Sequence, residues 1–170
     1  MTVAVEDVES TLLRTPAEAG GGAVHRVLVA FDGSPSAWAA LHQAINVAVT
    51  NHALLTIAAV VHEPSGLWMG FGGAMTVPYT RDSLCRDLER EMRRHLAEAR
   101  DEVPATVSVT TQMLHGRPWR AIAQLAESGR YDLVVTGPRP LGRVGRLLHH
   151  SLTDGLLART GVSVLAVKPQ

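Results

Sequence analysis

The 170-residue chain has one cysteine, no net charge and no apolar run of membrane-spanning length. Each absence removes a class of protein. Cys85 has no second cysteine to pair with, so no disulfide forms within the chain, although this says nothing about export. Sixteen Lys and Arg balance sixteen Asp and Glu, so no general affinity for polyanions follows and any positive site must be local. No nucleic-acid partner is expected. No stretch approaches the ~18 apolar residues of a membrane span, and the N-terminus carries acids where a signal peptide has a basic region. A cytoplasmic protein without membrane contact is expected. The chain also lacks G-x-x-x-x-G-K-[ST], and no G-x-G-x-x-G follows its first strand, so P-loop and dinucleotide readings fail. No Ser-His-Asp or Cys-His arrangement is legible, and an enzyme is not expected.

What is present is enough for one core. Hydrophobic residues make up 46% of the chain, which at this length supports a single domain and not two. Residues 1–24 mix Glu, Asp, Thr and Ala and run into Gly20-Gly21-Gly22; with few large apolar residues they read as a mobile tail before a domain over 25–170. Arg26 to Phe31 and Leu54 to Val61 are short apolar runs of the kind a strand covered on both faces requires. Between them Asp32-Gly33 ends the first strand, Ser34 supplies an N-cap oxygen, and Pro35 opens a helix through about Val49.

From Arg81 to Glu102 the residues Leu84, Leu88, Met92, Leu96 and Ala99 recur at helical spacing among charges. They predict an amphipathic helix with a solvated charged face and Cys85 on its apolar side. The segment 62–80 before it is a long loop whose Trp68, Met69, Phe71 and Met75 read as packing over the sheet edge, with a ligand lid or partner surface as the alternative. Thr106 to Leu114 alternates apolar with Ser and Thr and predicts a strand at an edge or covered on one face. Gly116-Arg117-Pro118 starts a short helix closed by Gly129, and Asp132–Thr136 and Val162–Val167 are strands four and five. Ser151-Leu152-Thr153-Asp154 resembles a capping box opening a last helix.

Strands alternating with helices predict a three-layer α/β sandwich, a parallel sheet with right-handed crossovers and helices on both faces. Ligands of such sheets bind beyond the carboxyl ends of the strands, where strand order reverses. Asp32 and the loop after strand four should flank that crevice. A turn residue satisfying nearby amides is the plainer reading of Asp32, and an N-cap the plainer reading of Ser151. Histidines 62, 115, 149 and 150 fall near strand ends, but neighbouring histidines point different ways and no Cys or Glu stands at ligand spacing, so no metal site is expected.

Val27-Leu28-Val29-Ala30-Phe31-Asp32-Gly33-Ser34, Gly116-x-Pro118, Asp132-Leu133-Val134-Val135-Thr136-Gly137, Ser151 and a last strand ending Lys168-Pro169 together resemble the universal stress protein family, of the adenine nucleotide alpha hydrolase-like superfamily. The resemblance implies a Rossmann-like five-stranded sheet in the order 3-2-1-4-5, often dimeric through the last strand. It also implies a choice between two subclasses. One binds ATP through Gly, two residues, Gly, nine residues, Gly and Ser or Thr; the other lacks that pattern and does not bind nucleotide readily. Here Gly137 and Ser151 stand at the ends of the pattern with its spacing intact, while Pro140 and His150 replace the second and third glycines. By the same resemblance Asp32 meets ribose or adenine. The base lies against the start of the second strand, with Val60 as the candidate contact, and against Gly137; Ser151, Leu152 and Thr153 approach the phosphates.

Proline has no N–H and a fixed φ, so Pro140 neither donates to a phosphate nor takes a left-handed turn. His150 adds an imidazole at a helix mouth where close approach of an anion matters. Each change is worth roughly one to two orders of magnitude in affinity. Arg139, Arg143 and Arg146 offer charge-assisted compensation. The reading favoured is a dimeric stress-response or signalling adaptor with weak or absent binding of ATP or another adenine nucleotide, and no metal beyond nucleotide-bound magnesium. A competent ATP-binding switch, slow hydrolysis included, and a ligand-free interaction module stay open beside it. A response-regulator receiver shares the architecture but needs an aspartate after strand three, where this chain has Leu114-His115-Gly116.

Overall fold

A computed structural model describes residues 23–61, 81–137, 155–156 and 160–168, apart from the side chains at 81, 82 and 84. The tail up to residue 22, the 62–80 segment and the Ser151–Asp154 capping box lie outside the described residues. The elements are β1 Arg26–Ala30, α1 Pro35–Asn51, β2 Leu54–Val61, α2 Arg81–Asp101, β3 Val109–His115, α3 Pro118–Ser128, β4 Leu133–Thr136 and β5 Ser163–Ala166. The five strands form one sheet in the order β3-β2-β1-β4-β5, and every neighbouring pair is parallel. That is the expected fold.

Two apolar layers cover the sheet. On one face Val27, Val29, Leu55 and Ile57 pack against Ala37, Leu41 and Ala44 of α1 and Leu96 and Ala99 of α2. The opposite face carries Leu28, Ala58 and Val134 against Ile122 and Ala126 of α3 and against Leu156, which with Gly155 is helical. Alternate residues of β1 thus feed opposite layers, which is why its sequence is a continuous apolar run.

Several boundaries move for identifiable reasons. The first helix extends past Val49 to Asn51, where His52 takes a left-handed φ of 54° and its amide bonds the carbonyls of Ala48 and Val49. Strand three starts at Val109 and not at Thr106, because Val107 donates to the Pro104 carbonyl at 2.9 Å in a turn. Leu88, expected on the apolar stripe of α2, is exposed, whereas Leu96 and Ala99 lower on the helix are buried. At 21 residues α2 is about 31 Å long, longer than the strands it covers. Its outer face carries the expected ion pairs, Arg93–Glu89 at 3.4 Å and Arg94–Glu98 at 3.6 Å, and Cys85 is half-buried and unpaired.

The amino end of β1 is held by a carboxylate. Asp132 Oδ2 accepts from the amides of His25 at 2.8 Å and Arg26 at 2.9 Å, while the Asp132 amide donates to the Arg26 carbonyl at 3.0 Å.

Candidate functional site

Strand order reverses between β1 and β4. The chain leaves β1 toward β2 and β3 on one side and returns through α3 to β4 on the other, so the crevice lies beyond the carboxyl ends of β1 and β4. Ala30 stands opposite Thr136 in the register. One step further, Phe31 and Gly137 leave the sheet together, and Asp32 follows. Phe31 still donates to the Ala58 carbonyl at 2.8 Å, which fixes the height at which Asp32 emerges.

Asp32 Oδ1 accepts from the Ser34 amide at 2.9 Å. This is the local turn that the plainer reading of Asp32 anticipates, and it leaves the carboxylate at the mouth of α1. Gly33 takes φ +77°, a conformation that favours glycine. The Ser34 hydroxyl then caps α1 by accepting from the Ala37 amide at 3.2 Å, as the Ser-Pro pair predicts. These residues place a helix N-terminus, with its amides and partial positive charge, beside the Asp32 carboxylate.

Gly137 closes the other wall. A Cβ on residue 137 would collide with the Ser36 carbonyl and lie 2.8 Å from the Ala37 nitrogen. The glycine at the head of the candidate phosphate pattern is therefore also demanded by the packing of β4 against the first turn of α1. Ser36 and Thr136 are buried beside it.

Val60 lies near the carboxyl end of β2, opposite Leu114 of β3, and is partly buried on the α3 side. The start of strand two does not belong to the crevice. Leu54 pairs with Arg26 at the amino end of the sheet, because a parallel sheet gathers all its carboxyl ends on one side. Asp32, Val60 and Gly137 thus share one end of three adjacent strands. Arg139, Pro140, His150, Ser151, Leu152 and Thr153 lie outside the described residues, as do Arg143 and Arg146. A concavity of about 360 Å³ lined by Leu114, Arg117, Arg120 and Gln124 opens between α3 and the carboxyl end of β3, and neither Asp32 nor Gly137 lines it. The crevice is the better candidate because the switch point puts a carboxylate and helix amides there.

Among the described residues no group of three His, Cys, Asp or Glu is placed to hold a metal; His115 Nε2 lies 4.0 Å from Glu89 Oε1 and has no further such neighbour there. No helix among them is long and apolar enough to cross a membrane.

The universal stress protein family matches residues 23–168. This chain belongs to that family. The match covers all the strands and the crevice, so the blocks read from the sequence lie inside one family domain. The stress response protein NhaX of Bacillus subtilis (strain 168) is 31% identical over 166 residues, covering 84% of this chain and 97% of the relative. A universal stress protein of Thermus aquaticus, from the region 3′ of a QAH/OAS sulfhydrylase, is 34% identical over 143 residues, again 84% of this chain and 97% of the relative. Among solved structures, a universal stress protein in complex with cAMP superposes with a TM-score of 0.66 at 24% identity, covering 88% of this chain and all of that one; at that identity the likeness bears on the fold.

One residue of the crevice surroundings was not legible beforehand. His95, inside a helix whose charges read as a solvated face, reaches Gly33. The available signal was its spacing: three residues after Met92 and four before Ala99, it borders the apolar stripe of α2.

Proposed function

We propose that this universal stress protein is a cytoplasmic stress-response or signalling adaptor, homodimeric through β5, that binds an adenine nucleotide weakly at the crevice between β1 and β4. The observation that carries the nucleotide reading is that Asp32 and Gly137 follow the neighbouring carboxyl ends of β1 and β4 at the switch point, beside the capped N-terminus of α1. A carboxylate there suits ribose hydroxyls, and a glycine whose neighbour is a helix mouth lets a ligand approach backbone. The cAMP complex of a structurally similar universal stress protein supports an adenine nucleotide as the class of ligand. Pro140 and His150, in the places of two glycines, support a weakened grip. Binding, and not turnover, is the activity assigned, with partner choice or assembly responding to occupancy.

Calorimetric titration of the full chain with ATP, ADP and cAMP, with and without magnesium, tests this. A dissociation constant between about 10 μM and 1 mM is expected. Submicromolar ATP affinity would replace the weak site with a competent switch. No heat at millimolar ligand would leave an interaction module with an empty crevice.

A further inference from the structure

The ring of His95 fills the space that a side chain on residue 33 would need. A Cβ built on Gly33 would lie 2.6 Å from His95 Nδ1 and 2.9 Å from its Cε1. Position 33 therefore disfavours side chains twice, once through its φ of +77° and once through the His95 ring of α2, the third element further along the chain. His95 Nδ1 is buried and has no hydrogen-bond partner among the described residues. Its Nε2 lies 3.5 Å from Arg94 Nη2. With no bond made at Nδ1, the ring acts on the turn by its shape.

We propose that His95 is a positioning residue for the crevice. By packing against Gly33 it holds the Asp32–Gly33–Ser34 turn, and with it the Asp32 carboxylate, at a place dictated by α2. This rests on the reading of the crevice as an adenine-nucleotide site. Helix α2 packs on β2 and β3, whereas Asp32 follows β1; beside the sheet and the apolar layer they share, the His95–Gly33 contact ties α2 to the turn itself. Close-packed contacts transmit displacement with little slack, so a shift of α2 along its axis is felt at Asp32. Partner binding on the outer face of α2 would then alter nucleotide affinity without touching the nucleotide.

The test uses the full chain and two readouts, amide hydrogen exchange at Ser34 and calorimetric affinity for MgATP. Ser34 reports the turn directly, because its amide is the one bonded to Asp32 Oδ1. In His95→Ala, Ser34 exchange should rise about tenfold or more, with the amides of His25 and Arg26 at the far end of β1 unchanged. Affinity for MgATP should fall about three- to tenfold. His95→Phe, which restores a flat ring without the nitrogens, should return both values toward wild type. Unchanged Ser34 exchange in His95→Ala, or a Phe variant that behaves like the Ala variant, overturns the proposal. Should His95→Ala fail to fold, His95→Gln removes the ring while keeping a polar side chain and takes its place. If the wild-type chain binds no MgATP while the exchange results come out as expected, the nucleotide reading fails and the hold of His95 on the turn stands.

Discussion

The Tyr131 hydroxyl donates to Thr56 Oγ1 at 2.9 Å, and Thr56 Oγ1 lies 3.1 Å from Thr110 Oγ1. Three hydroxyls from the segment before β4, from β2 and from β3 thus join across one face of the sheet, with Tyr131 and Thr56 buried. A tyrosine buried to this extent needs a partner for its hydroxyl. Tyr131→Phe should cost about 1 kcal/mol, since Thr56 keeps Thr110. Urea unfolding of the two proteins with equal slopes checks this.

Gly137→Ala puts a methyl group into the Ser36 carbonyl, and backbone on both sides must give way. A loss of about 1–3 kcal/mol is expected, together with loss of nucleotide binding, because the displaced groups form the wall of the crevice. Gly161→Ala is the control: a Cβ there meets nothing within 4 Å, so its stability should stay within about 0.5 kcal/mol of wild type. Thermal unfolding and MgATP titration of the pair separate packing at Gly137 from a general penalty for losing glycine.

Replacing Pro140 and His150 together by glycine should tighten MgATP binding by about a hundredfold or more, since each residue is assigned one to two orders of magnitude. Calorimetry on the double variant measures it. No gain would mean that the weak grip originates elsewhere, and the arginines of the same segment would be the next residues to change.

The free edge of β5 is where a dimer would form. Val167 donates to the Thr136 carbonyl, and strand alternation turns the amides of Val164 and Ala166 the other way, out of the β4 ladder. Ala166→Pro therefore removes an outward donor while sparing the β4 bonds. Sedimentation at micromolar concentration should give a dimeric mass for wild type and a shift toward monomer for the variant, with folding intact by circular dichroism. A monomeric wild type would refute dimerisation through this edge.

The strands were legible because a buried parallel strand must present apolar side chains to two helical layers. Val27–Ala30 does so without interruption and Leu54–Val61 with Thr56 as its one polar residue, while the sheet order came from the family resemblance. The end of α1 was not legible, because His52 supplies the left-handed residue that glycine usually provides. Leu88 misled for a different reason: helical periodicity marks a stripe but not how far the surface beneath it extends. That Asp32 and Gly137 follow the carboxyl ends of neighbouring strands was readable from topology, while the placement of the base at the start of strand two confused its two ends. His95 stayed hidden because its role depends on a contact between elements sixty residues apart, which no local pattern encodes.

The carboxylate of Asp132 fastens the amide of His25, just before the central strand, and that of Arg26, its first residue, at the end of the sheet opposite the crevice. Whatever is attached ahead of Ala23 enters the domain through this clip. A probe, tag or surface tether fused on that side would pull on the middle of the sheet along the strand axis, and would leave the opening between Asp32 and Gly137 facing away from the support. Immobilised ligand-binding measurements and force experiments on this chain should therefore be anchored through the N-terminal side.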